Sequence, residues 1–428
     1  MEAKKQIEIQ LGHMCNNRCV FCFSGQQTEF KRAGPLDLRP QLAEMDKARA
    51  EGHTKVTLLG GEPTLQPGFL DVVRHAVSLG FEEIVIFTNG VKTAREGFID
   101  EILATAGQRR GLFTWRISIQ GATEEAHERT TKKEGSFARI VRTMETLYRK
   151  GERITVNMCV VSSNYASVPA FPALLLPFGV TQLHLDMVRP LDAGTRTEVE
   201  LREMMPRYSE LVPALEQMVR GFPEGFNLNI GNLPYCFAPQ LARFIHHGGN
   251  DTFTFAVDDR RALDQPWNKY ELQRRDKSKP ERCEACVFET RCRGVSDHYR
   301  EFHGTDELAP VSRERLNEID PNGDLFSPPP PTGGHVARSI GTRLARLRRG
   351  APFGALVWRE VIVSEGGGRA EAVFDGPSGE RATVWMTETR GRAAGGYRVD
   401  AGSPTPALRE GLRAVVDVLR VRPGEVVT

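Results

Sequence analysis

The chain has 428 residues, 40% hydrophobic and 26% charged, a balance that excludes intrinsic disorder and suggests two or three domains at ~150 residues each. Lys and Arg total 57 against 55 Asp and Glu, a net charge of +2, so no global field selects nucleic acid as a partner. No apolar run approaches the ~20 residues that span a bilayer, and Met1-Glu2-Ala3-Lys4-Lys5 carries no apolar signal segment; a cytoplasmic protein without a membrane partner is expected. From the N-terminus, Ile7, Ile9 and Leu11 alternate with polar residues, the period of a strand. Five more strands are predicted at 56–59, 84–87, 113–119, 154–161 and 183–187, with helices between them at 67–79, 94–105, 137–150 and 168–177. Repeated β-α units imply right-handed crossovers and a parallel sheet. Six repeats are too few for a closed eightfold barrel, so the expected fold class is α/β, a partial (β/α)6 TIM-like barrel or an open sheet.

The middle strands carry a second signal. A parallel sheet covered on both faces reads as continuous apolar residues. Here Thr114, Arg116, Ser118 and Gln120 share one face of the fourth strand, Thr155, Asn157 and Cys159 one face of the fifth, and Gln182, His184 and Asp186 one face of the sixth. Three polar faces in neighbouring strands predict a solvated lumen that holds a ligand; an edge strand with one wet side is the alternative. Cys159 on such a face is a candidate hydrogen-atom donor or an inert buried thiol. His184 and Asp186 are candidates to orient substrate or relay a proton, or else a pair that closes the lumen.

Residues 1–221 are therefore expected to form the β/α core. From 222 to 320 the rhythm stops and the sequence turns aromatic and irregular. A spacer at 321–335, with four consecutive prolines from Pro328 to Pro331, marks a boundary. Residues 336–428 are expected to form a small α+β domain. It begins with a helical stripe of Val336, Ile340, Leu344 and Leu347 ringed by Arg338, Arg343, Arg346, Arg348 and Arg349, which is either a solvated face or a docking site. Strands are expected at 353–363, 369–375 and 381–388. A last helix should be capped by Thr405 with Pro406 in its first turn.

Eight cysteines in a reducing compartment point to metal rather than disulfides. Cys15, Cys19 and Cys22 lie on one loop after the first strand. Soft thiolates select zinc or iron–sulfur clusters. A structural zinc site is normally closed by four ligands, and His13 is awkwardly placed to be the fourth. A cubane held by three cysteines leaves one iron open to bind and activate a ligand.

This arrangement resembles the radical S-adenosylmethionine (SAM) superfamily. Its signature Cys-x3-Cys-x2-Cys is present at 15–22. Gly60-Gly61-Glu62-Pro63 follows the second strand, Thr88-Asn89-Gly90 the third, and Ser118-Ile119-Gln120-Gly121 ends the fourth; Asn157 sits in the fifth. The resemblance covers roughly residues 5–190. It implies that Cys15, Cys19 and Cys22 hold a 4Fe-4S cluster whose open iron is chelated by the amino and carboxylate groups of SAM. It places Phe21 beside the adenine. Gly60 and Gly61 would let the backbone approach the SAM amino group, and Glu62 would fix that ammonium. Thr88, Asn89, Gln120 and Asn157 fall at the family's cofactor-binding strand ends. Ser118 would reach the ribose or carboxylate, and Arg129 would pair with the carboxylate or else be a solvated helix charge. Reduced by a carrier such as flavodoxin or ferredoxin, the cluster would cleave SAM to a 5′-deoxyadenosyl radical that abstracts hydrogen from substrate.

Cys283, Cys286 and Cys292, with Cys236 upstream, could close a zinc site or a second cluster. Their order resembles the SPASM/Twitch extensions of radical SAM enzymes. The usual Cys-x3-Cys continuation is missing, so the shorter Twitch type with one auxiliary 4Fe-4S cluster is implied, with Cys236 as a ligand or an open iron in its place. The expected activity is hydrogen abstraction from a peptide side chain or a small metabolite, in a maturase, dehydrogenase or cyclase. The rivals are an RNA-modifying radical SAM enzyme guided by the basic tail, and a two-zinc structural or regulatory protein.

Overall fold

The computed structural model describes residues 5–189, 196–247, 252–325 and 356–420, with short interruptions in the last three stretches. The six expected strands form as β1 (Gln6–Gln10), β2 (Lys55–Leu59), β3 (Glu83–Thr88), β4 (Phe113–Ser118), β5 (Arg153–Val160) and β6 (Gln182–Met187). Each pairs in parallel with its sequence neighbour. Between them run α1 (Phe23–Glu29), α2 (Arg39–Ala50), α3 (Phe69–Ser78), α4 (Glu96–Thr105), α5 (Glu124–Thr131) and α6 (Ser136–Arg149). The helices α3 and α4 bury apolar stripes. In α3, Phe69, Val72, Val73 and Ala76 are buried at helical spacing.

The helix expected at 168–177 is broken. Pro169, Pro172 and Pro177 each lack a backbone donor, and only α7 (Phe171–Leu175) is α-helical, between two tighter turns. The rhythm also does not stop at 222. A further helix, α8 (Tyr208–Gly221), leads into β7 (Asn227–Gly231), parallel to β6. β8 (Ile245–His246) adds to β7, and β9 (Thr252–Phe255) adds to the other edge beside β1. Among the described residues the sheet holds ten strands, with β8 at one end and the pair Trp267–Asn268 at the other. β7 was hard to read because its outward residues Leu228 and Ile230 alternate with asparagines, which are poor strand formers.

The two-faced pattern is present. In β5, Ile154, Val156, Met158 and Val160 are buried against helices while Asn157 and Cys159 are half-buried; in β6, Gln182, His184 and Asp186 are half-buried between fully buried neighbours. Among its described residues the C-terminal unit has four antiparallel strands, Val357–Val363, Arg369–Asp375, Arg381–Thr389 and Arg392–Val399. The fourth was missed because Gly395 and Gly396 weaken its signal. The helix Pro406–Arg420 follows, and Thr405 Oγ1 accepts from Leu408 N at 3.2 Å as expected of a cap. The proline run and the arginine-rich helix expected at 336–349 lie outside the described residues. Among the described residues no helix is long and apolar enough to cross a membrane.

Candidate active site

The first cysteine loop is fixed by backbone contacts on every side. Leu11 N donates to Leu59 O at 2.8 Å, which ties the end of β1 to the end of β2. Arg18 N and Val20 N donate to Thr131 O and Thr130 O, both at 2.9 Å, which lays the loop along the end of α5. Cys22 N donates to Cys19 O at 3.0 Å, and Cys22 opens α1 as its cap. Cys15 Sγ accepts from Asn17 N at 3.4 Å and from Asn89 Nδ2 at 3.7 Å. Burial, and then the neighbouring Cys22, push the Cys15 thiol up to about 12. Burial raises Cys19 well above its ordinary value, with Cys22, Cys15 and Cys159 adding to it. Three sulfurs thus share one buried neighbourhood in which thiolates are unfavourable without a compensating cation. A metal–sulfur group supplies that cation, so the donor set fits a cluster. His13 is not a fourth donor. Its Nδ1 lies 2.9 Å from Ser24 Oγ and its Nε2 3.0 Å from Val257 O.

Gly60 and Gly61 prove to be demanded by the cysteine loop. A Cβ on Gly60 would stand 2.7 Å from Gly12 O, and one on Gly61 2.5 Å from both His13 O and Met14 O. Gly61 N and Glu62 N donate to Gly12 O and Met14 O at 2.8 and 2.7 Å. Close approach to SAM is therefore not the only reason for these glycines. The Glu62 carboxylate is already engaged, with three donors at Oε1 and one at Oε2. It is buried and accepts from Thr64 Oγ1 (2.6 Å), Thr88 Oγ1 (2.8 Å), Asn89 N (2.7 Å) and Thr64 N (3.3 Å). Burial raises its carboxyl above the ordinary range despite these donors. Glu62 knots the end of β2 to the end of β3, and Asn89 extends the knot to Asn16 Oδ1 at 2.7 Å.

The register aligns the other candidates in rows across the lumen. Ser118 lies opposite Asn157, Asn157 opposite His184, and His184 opposite Asn229. One step toward the strand ends, Cys159 lies opposite Asp186 and Asp186 opposite Gly231. Gln120 Nε2 donates to Ser118 Oγ at 2.6 Å while its Oε1 accepts from Cys159 N at 3.0 Å. His184 Nε2 lies 2.9 Å from Asp186 Oδ2. Asn157 Oδ1 has no partner among the described residues although it is buried, which suits a ligand donor in the lumen. Phe21 is half-buried against the core beside Cys22.

Arg129 pairs with Glu125 at 3.1 Å and donates twice to Ser163 O, at 3.1 and 2.7 Å. Sequence reading missed Arg196, whose Nη2 reaches Cys19 O at 3.3 Å and whose charge faces Cys22 and Cys19. No local motif marks it, because it follows β6 and reaches a loop near the N-terminus.

The second group also assembles. Cys236, Cys283, Cys286 and Cys292 line one cavity with Phe288 and Pro310. Burial, then Cys292, Cys286 and Cys283, push the Cys236 thiol up to about 12. Backbone donors aim at sulfur, Gly294 N at Cys292 Sγ (3.3 Å) and Val311 N at Cys286 Sγ (3.4 Å). Yet among the described residues no three His, Cys, Asp or Glu side chains form a group set for a single metal ion.

Residues 9–168 match the family model described as the Radical SAM superfamily. The chain is 27% identical over 309 residues, 67% of its length, to the mycofactocin maturase of Mycobacterium ulcerans (strain Agy99), 80% of which is covered. It is 26% identical over 221 residues to a probable GTP 3′,8-cyclase of Saccharolobus solfataricus, across 50% of this chain and 68% of that one. It is 27% identical over 207 residues to the PqqA peptide cyclase of Gluconobacter oxydans, across 48% of this chain and 56% of that one.

Proposed function

The chain belongs to the radical SAM superfamily, and from that premise we propose that it is a maturase that modifies a peptide. The observation that carries the reading is the docking of the Gly-Gly-Glu-Pro turn against a loop of exactly three cysteines, with backbone hydrogen bonds at 2.8 and 2.7 Å. In this reading Cys15, Cys19 and Cys22 hold the 4Fe-4S cluster. When bound, that cluster and SAM supply a 5′-deoxyadenosyl radical that removes a hydrogen atom from substrate.

The chain's own residues do the positioning. Asn89 braces Cys15 Sγ, and Glu62 with Thr88 keeps the two loop ends together. Asn157 Oδ1 is an acceptor for a polar group of SAM or substrate. The row Ser118, Asn157, His184 and Asn229 forms the polar floor beneath the reacting groups, while the apolar backs of the same strands exclude water. Cys159 and Asp186 face the substrate from one row and His184 from the next. Cys236, Cys283, Cys286 and Cys292 hold an auxiliary cluster.

A maturase and a peptide cyclase among the relatives support a peptide substrate. A small metabolite is the second reading, supported by the relative named a probable GTP cyclase. The net charge of +2 gives RNA modification no support. The electron donor would be a flavodoxin or ferredoxin. Protein isolated without oxygen should carry about eight irons, four per cluster, and replacing Cys15, Cys19 and Cys22 by Ala should remove about half. Stoichiometric zinc, or iron unchanged in the triple variant, would overturn the reading.

A further inference from the structure

A half-buried lysine lies between the lumen and the second cysteine group. Lys277 and Ser278 form a short strand paired antiparallel with Val295 and Ser296, which closely follow Cys292. Gly294 permits the pairing, since a Cβ there would run into Ser278 O. One residue earlier, Asp276 Oδ2 is held by Arg189 Nε at 2.9 Å and Nη2 at 2.7 Å. This strap fastens the second cysteine segment to the chain just beyond β6.

Lys277 Nζ donates to Asn232 Oδ1 at 2.6 Å, and Asn232 Nδ2 donates to Asp186 Oδ1 at 3.2 Å. Among the described residues the ammonium forms no ion pair. Its hydrogen-bond partner is a neutral amide, while Asp186 and Asp276 attract it without touching it. Burial, and then Arg189, draw its ammonium down to about 8. A desolvated ammonium opposite a neutral acceptor is costly for a fold to keep and marks a binding position.

A second group points to the same place. His247 packs edge-on against Tyr235 with ring centroids 4.8 Å apart. Neither of its buried ring nitrogens has a partner among the described residues. Burial, and then the Lys277 charge, push the imidazole down to about 3, so it is neutral and keeps one N–H to donate. An ammonium beside an unengaged imidazole N–H matches the two oxygens of a carboxylate.

We propose that Lys277 and His247 anchor a carboxylate of the substrate, on an acidic side chain or at a peptide's C-terminus, above the ends of β6 and β7 and beside the second cysteine group. The proposal rests on the maturase reading and names the chemistry that its substrate must carry.

The test uses three capped probes on the full-length, cluster-loaded protein: acetyl-Gly-Glu-amide, acetyl-Gly-Gln-amide, and acetyl-Gly-Gln with a free C-terminus. Saturation-transfer NMR titration should show at least one acid probe binding roughly tenfold or more tightly than the neutral one, as a charge-assisted hydrogen bond gives. Which acid probe gains identifies the source of the carboxylate. Lys277→Gln and Lys277→Met should abolish the preference, and Lys277→Arg should keep part of it; melting curves establish that each variant is folded. Equal binding of the three probes, no detectable binding of any, or a preference that survives in folded Lys277→Gln overturns the proposal. Formation of 5′-deoxyadenosine by the wild type is measured in parallel. Its absence counts against the maturase reading whatever the probes do, so the two failures are told apart.

Discussion

Gly61→Ala should damage the first cysteine loop rather than SAM binding alone. The added methyl would meet His13 O and Met14 O at 2.5 Å and His13 C at 2.7 Å. All three are backbone atoms and cannot rotate aside. Relief to an ordinary contact of about 3.4 Å needs a shift of almost 1 Å in residues 13–14, the lead into Cys15. That shift breaks or stretches the hydrogen bonds from Gly61 N and Glu62 N, at 2.8 and 2.7 Å. Two weakened buried bonds with local overpacking cost about 2–5 kcal/mol. The control is Gly97→Ala in α4, where a Cβ meets nothing within 4 Å and helix propensity favours the change by up to about 1 kcal/mol. Anaerobic iron analysis and thermal melts on both variants decide the matter. Gly61→Ala should lose iron at the first site and melt lower, and Gly97→Ala should do neither. Full iron and an unchanged melt in Gly61→Ala would refute the docking argument.

Glu62→Gln removes acceptor capacity from a carboxylate that receives four hydrogen bonds; the loss should be about 1–3 kcal/mol, read by urea unfolding, and an unchanged midpoint would contradict the knot. The double change of Cys283 and Cys286 to Ala should leave about four irons and uncoupled SAM cleavage while abolishing substrate turnover; a circular dichroism melt that collapses together with SAM cleavage would instead assign the second group a structural role. His127 is fully buried, accepts from Gln120 N at 3.0 Å, and is held down at about 4 by burial. Because the unfolded imidazole protonates near 6.5 and the folded one does not, stability should fall as pH drops from 6.5 toward 4, by about 3 kcal/mol. His127→Gln should flatten that slope, and an equal slope in both proteins would remove His127 from the account.

The β/α core was legible because its strands announce both period and polarity. Ile154, Val156, Met158 and Val160 against Asn157 and Cys159 encode which side faces helices and which faces the lumen. The rows through Ser118, Asn157 and His184 follow once parallel register is granted. Long-range partnerships were not legible. Nothing near Arg129 in sequence announces Ser163 O, and nothing near Arg196 announces Cys19 O. The glycine pair was recognised, but its dominant neighbour, the backbone of residues 12–14, belongs to another strand end. β7 escaped notice because tertiary pairing with β6, rather than side-chain propensity, makes Asn227–Gly231 a strand.

On the proposed function, Cys15, Cys19 and Cys22 support reductive cleavage of SAM. The direct measurement is 5′-deoxyadenosine released by anaerobic protein given dithionite and SAM, with the triple Cys→Ala variant in parallel. The wild type should release it even without substrate, and the variant should release none. Equal release from both proteins, or none from an iron-replete wild type, would contradict the account.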